Sequence, residues 1–203
     1  MSGWIVKNSA KDTLRQFWEL MIFEYLPEIV RSQKLTKKAG RDFFEKYHIQ
    51  GKNSLGFIFF GLFYKDELVG AISLGRHNRQ YDNLVLDRLC FKDGVQIVGG
   101  ASKLFSKCIT WAKQNNHKSI ISFSDNRWSV GNVYKALNFK MEKEYYPDYC
   151  YINVKSPTKR ISKQSQKKSN TNCPKEMTEY AWAHQHGLAR IWDCGKIRWK
   201  FEL

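Results

Sequence analysis

The hydrophobic positions of this chain change period along its length. Between residues 12 and 31, Leu14, Phe17, Trp18, Met21, Ile22, Tyr25, Leu26 and Ile29 recur at helical spacing. This pattern predicts an amphipathic helix, kinked at Pro27. A shorter helix is expected over 37–46, ending before His48-Ile49-Gln50-Gly51. The helical period then gives way to an eight-residue apolar run from Phe57 to Tyr64. Together with 67–74, across the polar Lys65-Asp66 turn, it predicts a β-hairpin. A third strand is expected over 84–91, and a helix from Gly99-Gly100 to about Asn116. Ile120-Ile121-Ser122-Phe123 reads as a short buried strand running into the polar knot Ser124-Asp125-Asn126-Arg127-Trp128. A helix over 131–137, strands over 139–145 and 149–154, a helix over 176–186 and a closing hairpin around Asp193-Cys194-Gly195-Lys196 complete the expectation.

Antiparallel strands first, then strand, loop, helix and crossover strand, predict an α/β fold. Its central sheet would be mixed but mostly antiparallel, flanked by helices, with a basic C-terminal extension. The expected organisation is a main domain over 1–154, a basic linker over 155–175 and a helix–hairpin extension over 176–203. If strands 84–91 and 120–123 are neighbours, the helix start at Gly99 and the strand end at Asp125 share one edge. Ligands collect at such places because strand ends and helix N-termini present unpaired backbone groups.

Charge narrows the choice of partner. The 203 residues hold 34 Lys+Arg against 19 Asp+Glu, a formal charge of +15. A polyanion is the natural partner, and DNA is the expected one. Lys155, Lys159, Arg160, Lys163, Lys167, Lys168 and Lys175 fall in one stretch without an acidic residue. That stretch reads either as a mobile basic segment that neutralises phosphates or as a solvated loop without a ligand. A hydrophobic fraction of 42% with 15% aromatics excludes wholesale disorder. The longest apolar run falls far short of the roughly 20 residues needed to span a bilayer. No basic flank followed by an apolar run opens the chain at Met1-Ser2-Gly3-Trp4, so a cytoplasmic location and no membrane partner are expected. The five cysteines are scattered and never form a CxxC pair, which fits reduced thiols and not a zinc or disulfide framework.

Candidate chemistry begins at Gln96-Ile97-Val98-Gly99-Gly100-Ala101, between a strand and a helix. Two glycines let backbone approach a ligand, and first-turn N–H groups then face an anion; Ser102 adds a hydroxyl. The same glycines also suit an ordinary turn. This loop resembles the Q-x-x-G-x-A pyrophosphate-binding pattern of the GNAT superfamily of N-acetyltransferases. Asn126, Tyr134 and Phe139 resemble a later motif of that superfamily. The resemblance implies an acetyl-coenzyme A or other acyl-coenzyme A cofactor held by Gln96, Gly99, Gly100, Ala101 and Ser102. It also implies that Tyr134 protonates a departing thiolate, a transfer that suits a phenol.

A closer resemblance covers roughly 43–154. Tyr47-His48 before Gly51, Arg88-Leu89-Cys90, Ala101-Ser102, Ile121-Ser122-Phe123-Ser124-Asp125 and Gly131 to Phe139 are similar to the phage Mom family. That family modifies adenine N6 in phage DNA and so blocks host restriction. Further segments, including Asp125 to Ser129 and Arg190 to Gly195, resemble phage proteins described as homing-endonuclease-like. The Mom resemblance implies catalytic roles for His48, Arg88, Asp125 and Tyr134, and an iron held by His48, Asp125 and Tyr134. Ile49, Phe123 and Ser124 depart from the Mom pattern. Arg88, inside an apolar strand, needs a counter-charge in Asp87, Asp125 or a phosphate. Arg127 and Trp128 suit gripping and stacking an extruded base, while Lys159, Arg160, Lys163, Lys167 and Lys168 suit phosphates. The resulting expectation is a phage DNA-modifying transferase acting in the infected bacterium's cytoplasm. The alternative is a non-catalytic DNA-recognition module.

Overall fold

The computed structural model describes residues 30–51, 56–77 and 83–203. The helix expected over 12–31 therefore lies outside the described residues, except for its last two positions. In chain order the elements are β1 (Val30–Lys34), α1 (Lys37–Tyr47), β2 (Gly56–Tyr64), β3 (Glu67–Arg76), β4 (Asn83–Phe91), α2 (Gly100–Gln114), β5 (Ser119–Asp125) and α3 (Asn132–Ala136). They continue with β6 (Lys140–Tyr145), β7 (Tyr149–Asn153), β8 (Ser156–Ile161), α4 (Glu179–Gln185), β9 (Leu188–Trp192) and β10 (Lys196–Glu202). Contacts divide the chain into two compact units. The first comprises 1–122, 132–140 and 199–203, and the second 123–131 and 141–198.

In the first unit β1, β2, β3 and β4 pair in sequence order, each antiparallel to the next. β4 then pairs parallel with β5, and β10 lies beside β5. This is the mixed, mostly antiparallel sheet that the pattern predicted. Val30 and Arg31, expected to end a helix, instead open β1, with Val30 buried and paired to Tyr64. Ile120 and Ile121 are both fully buried, as a central strand covered on two faces requires. α1 and α2 pack on β2 and β3. Phe43 and Phe44 of α1 cluster with Phe59 and Ala71, while Leu104, Phe105, Cys108 and Ala112 line the buried stripe of α2. Thr36 caps α1 by accepting from the Ala39 N–H at 3.2 Å.

One irregularity shapes the site. Ser73 pairs with Arg88, but Leu74 pairs with Leu86, so Asp87 is an extra residue on β4. Such a bulge bends its strand and increases local twist. The parallel ladder to β5 ends at Val85 with Ile121, immediately before this bulge, although β4 continues to Phe91.

In the second unit β6 lies beside β10, and β8, β7 and β9 form an antiparallel sheet. Its core is Tyr151, Ala183 and Leu188, with Tyr149 and Ile161 packed against them. The stretch 155–175, expected to be a mobile linker, holds β8 and two short 3-10 helices at Lys163–Gln166 and Lys168–Asn170. Burial of Ile161 against the core and the pairing of Arg160 with Ile152 anchor it. The closing hairpin is also corrected: β9 joins the three-stranded sheet and β10 the seven-stranded one. Asp193 redirects the chain between them, its Oδ1 accepting from the N–H groups of Asp148 at 2.8 Å and Gly195 at 3.0 Å. Among the described residues, no helix is long and apolar enough to cross a membrane.

Candidate active site

The loop after β4 turns through Gly99, whose φ of +69° is a left-handed conformation that costs glycine least. A Cβ on Gly99 would meet nothing within 4 Å, whereas one on Gly100 would press on Phe91 and Ile97. The loop is thus packed on its inner side and open beyond Gly99. The first intrahelical bond of α2 runs from the Lys103 N–H to the Gly99 carbonyl, so the N–H groups of Ala101 and Ser102 precede it. The first turn carries no acidic residue. Gln96 and Ser102 are exposed beside it. Open space, two N–H groups and the positive helix end make a cradle that fits a pyrophosphate.

Beyond the bulge, four side chains of the first unit come together around Arg88. Its Nη1 donates to the Asp87 carbonyl at 2.8 Å and to Asp87 Oδ1 at 3.2 Å, while its Nε is buried without a hydrogen-bond partner. Of the counter-charges the sequence left open, Asp87 supplies the ion pair. The Arg88 charge acts on His48, Cys90 and Tyr134. The Cys90 thiol is pushed up to about 12, first by burial and then by Asp93, so it stays protonated.

Tyr134 is set by a hydroxyl to which the sequence reading gave no role. Ser122 Oγ lies 2.8 Å from the Leu86 carbonyl and 3.0 Å from Tyr134 Oη. A hydroxyl has one proton. Ser122 is placed to donate it to either oxygen. The signal was available in the sequence: a serine beside two buried isoleucines must find partners. Burial raises the Tyr134 pKa, with Ser122 and Arg88 opposing. The ring stacks on Trp199 at 5.5 Å and meets Phe139 edge-on at 5.6 Å.

His48 is at once a helix terminus and a site residue. Its N–H caps α1 on the Phe44 carbonyl, and its Nδ1 accepts from the Gln50 N–H at 3.1 Å. The neutral ring therefore carries its proton on Nε2. Burial first, and Arg88 second, lower its pKa to about 4. The unfolded chain, with a histidine near 6.5, takes up the proton first as pH falls. Stability is therefore expected to drop between about pH 6.5 and about pH 4. His48→Gln should flatten that slope in denaturant titrations at stepped pH, and an unchanged slope would place its origin elsewhere.

Asp125 belongs to the second unit, where Arg127 occupies it. Arg127 Nε lies 3.0 and 3.1 Å from the two carboxylate oxygens, and its backbone N–H is 3.1 Å from Oδ1. The Arg127 side chain holds the Asp125 pKa below the usual carboxylate range, against burial. Such a carboxylate anchors an arginine and is a poor proton acceptor at neutral pH. The expected iron gains no support: among the described residues no three His, Cys, Asp or Glu side chains form a metal-binding group. Nor does His48 suit one through Nε2, because a metal-binding imidazole donates from its other nitrogen, whereas Nδ1 here accepts.

The expected nucleic-acid residues divide. Lys159, Arg160 and Lys167 are exposed, and Trp128 is 62% exposed. Lys163 pairs with both carboxylate oxygens of Asp148 at 2.6 Å, and Lys168 donates to the Lys175 carbonyl at 2.7 Å. Those two cations help hold the second unit together.

Three comparisons bear on this geometry. The model of the Mom protein family matches residues 30–193. No curated protein sequence matches. Among solved structures, an assigned acetyltransferase from Salmonella typhimurium, determined with its cofactor acetyl-CoA, aligns at a TM-score of 0.53 and 10% identity. The alignment covers 87% of this chain and 95% of that one. An assigned GNAT-family acetyltransferase from Desulfovibrio desulfuricans aligns at 0.52 and 10% identity over 85% and 98% of the two chains. The IAA acetyltransferase from Bacillus cereus aligns at 0.50 and 12% identity, over 86% and 99%. These likenesses establish the GNAT fold. The resemblance to homing-endonuclease-like proteins gains no support from them.

Proposed function

This chain belongs to the Mom protein family, and from that membership and its site we propose that it is an acyl-coenzyme-A-dependent transferase acting on DNA bases. The exocyclic N6 amine of adenine is the favoured target, and protection of phage DNA from restriction is the purpose. The observation that carries the reading is the joint placement of a bulged, unzipped β4, an open glycine cradle and a protonated phenol. The acetyl-CoA named with the Salmonella typhimurium relative supports the choice of donor.

Gln96, Gly99, Gly100, Ala101 and Ser102 would hold the cofactor's pyrophosphate. When bound, an acyl-coenzyme A supplies an activated acyl carbon and a thiolate leaving group. Tyr134 stays protonated at neutral pH and has a proton to give, with Ser122 and Trp199 fixing its ring. Arg88, held by Asp87, places positive charge beside the phenol, where a developing anion is stabilised. Neutral His48 offers an Nε2–H donor and not a base. DNA is held by exposed cations such as Lys159, Arg160 and Lys167, with strong salt dependence. Exposed Trp128 is suited to stacking on a base.

Nucleosides from plasmid DNA of bacteria expressing the protein are expected to include a heavier deoxyadenosine derivative by mass spectrometry. Unmodified DNA alongside retained DNA binding would overturn the transferase reading in favour of a recognition module.

A further inference from the structure

The second unit carries a cavity of about 420 Å³ that the chemistry above does not use. That volume lies within the roughly 300–1,000 Å³ range of small-molecule sites. Phe123, Tyr145 and Tyr146 supply aromatic walls, and Asp148, Asp193 and Lys196 supply polar ones. Tyr146 is 91% exposed and Phe123 41% exposed, so both rings present apolar surface to solvent.

Both carboxylates already face a lysine. Lys163 pairs with Asp148, and Lys196 with Asp193 at 3.2 Å. The lining is close to charge-balanced, and a phosphate placed there would face two carboxylates. A carboxylate has about four acceptor positions. Asp148 Oδ1 takes the Tyr149 N–H and Lys163, and Oδ2 takes Lys163. Asp193 Oδ1 takes two backbone N–H groups, and Oδ2 takes Lys196. Each Oδ2 therefore keeps one acceptor position. Burial would push the Asp193 carboxyl up, but its backbone donors and Lys196 hold it at about 2, so it remains an acceptor at neutral pH.

We propose that this cavity receives a single amino-bearing nucleobase extruded from DNA. An exocyclic amine has two N–H donors for the two Oδ2 positions. A ring nitrogen accepts from Lys196, and the base plane lies against the tyrosines. Adenine and cytosine meet these demands, whereas thymine has no exocyclic amine. The assignment rests on the reading of the chain as a base-modifying enzyme and names the pocket through which it selects its base.

The test uses the full chain and short labelled strands of abasic spacers carrying one central nucleotide, followed by fluorescence anisotropy at fixed ionic strength. Stacking of one base is worth about 1–3 kcal/mol, so the adenosine strand should bind roughly 5- to 150-fold more tightly than the all-abasic strand. The thymidine strand should fall between them. Tyr146→Ala, a change at an exposed ring, should remove the adenosine preference and leave abasic affinity unchanged, while Tyr146→Phe should retain it. Asp148→Asn should narrow the gap between adenosine and thymidine. An adenosine strand bound no better than the abasic one, or a preference that survives Tyr146→Ala, overturns the pocket. The two readings fail separately. Wild-type levels of modified nucleoside from Tyr146→Ala sink the pocket and keep the transferase. A Tyr146-dependent preference in a protein that modifies nothing supports the pocket and sinks the transferase.

Discussion

Replacing Tyr134 with Phe is expected to lower the transfer rate by about 10²- to 10⁴-fold, the usual worth of a positioned general acid. The fold should survive. Phe keeps the stack on Trp199 and the edge contact with Phe139. Ser122 loses one neighbour but retains the Leu86 carbonyl, so the stability cost should stay near 1 kcal/mol. Single-turnover rates at saturating cofactor would measure the effect, and a loss smaller than about tenfold would remove Tyr134 from the proton-donor role. Ser122→Ala makes a sharper companion. The Ser122 hydrogen bond lowers the phenol's pKa, so its removal should raise it. The alkaline limb of the pH–rate profile should then move to higher pH. A purely structural serine would reduce the rate without moving that limb.

Gly40→Ala is expected to destabilise the protein by about 1–3 kcal/mol, the usual cost of overpacking a core. Helix propensity argues the opposite way, since alanine gains about 1 kcal/mol over glycine in a helix interior. Contact decides the sign. A Cβ on Gly40 would fall 2.8 Å from Cγ of Phe59, and closer still to Cδ1 of the same ring. Phe59 is 1% exposed and packs on Phe44, so the ring has nowhere to retreat. The denaturation midpoint should fall, and a rise would show that Phe59 repacks easily. Because α1 ends at His48, the strain should also displace that imidazole and alter the pH slope tied to it.

The elements that were legible in the sequence are those whose signals are local. The apolar run from Phe57, the Lys65-Asp66 turn and the glycines before α2 each specify their own geometry. β8 escaped notice because Lys159 and Arg160 dominate a strand in which Ile161 alone reaches the core. The apparent hairpin at 193–196 failed for a related reason. Its turn chemistry is real, but the partners of β9 and β10 are chosen by distant strands. For the site, residue types marked His48, Arg88 and Tyr134, and the fold brings them around one charge. Asp125 drew attention as an acid at a strand end, yet its partner stood two residues away in Arg127. Sequence spacing revealed neither that local pairing nor the direction of the His48 hydrogen bond, and the expected iron depended on both.

The extra residue in β4 also sets a parity. In a regular strand Leu86 and Arg88 would point the same way. Here Leu86 stands opposite Leu74 and Arg88 opposite Ser73, which are adjacent residues and so face opposite ways. Arg88 and Cys90 thereby share the side of Val85, while Leu89 and Phe91 share the side of Leu86. Deleting Asp87 would preserve every one of these pairs, removing the bend together with the counter-charge of Arg88. Deleting a residue between 88 and 90 would turn over whatever follows it. Within this strand, curvature and handedness of display are thus encoded separately, one in a single extra position and the other in the count of residues beyond it.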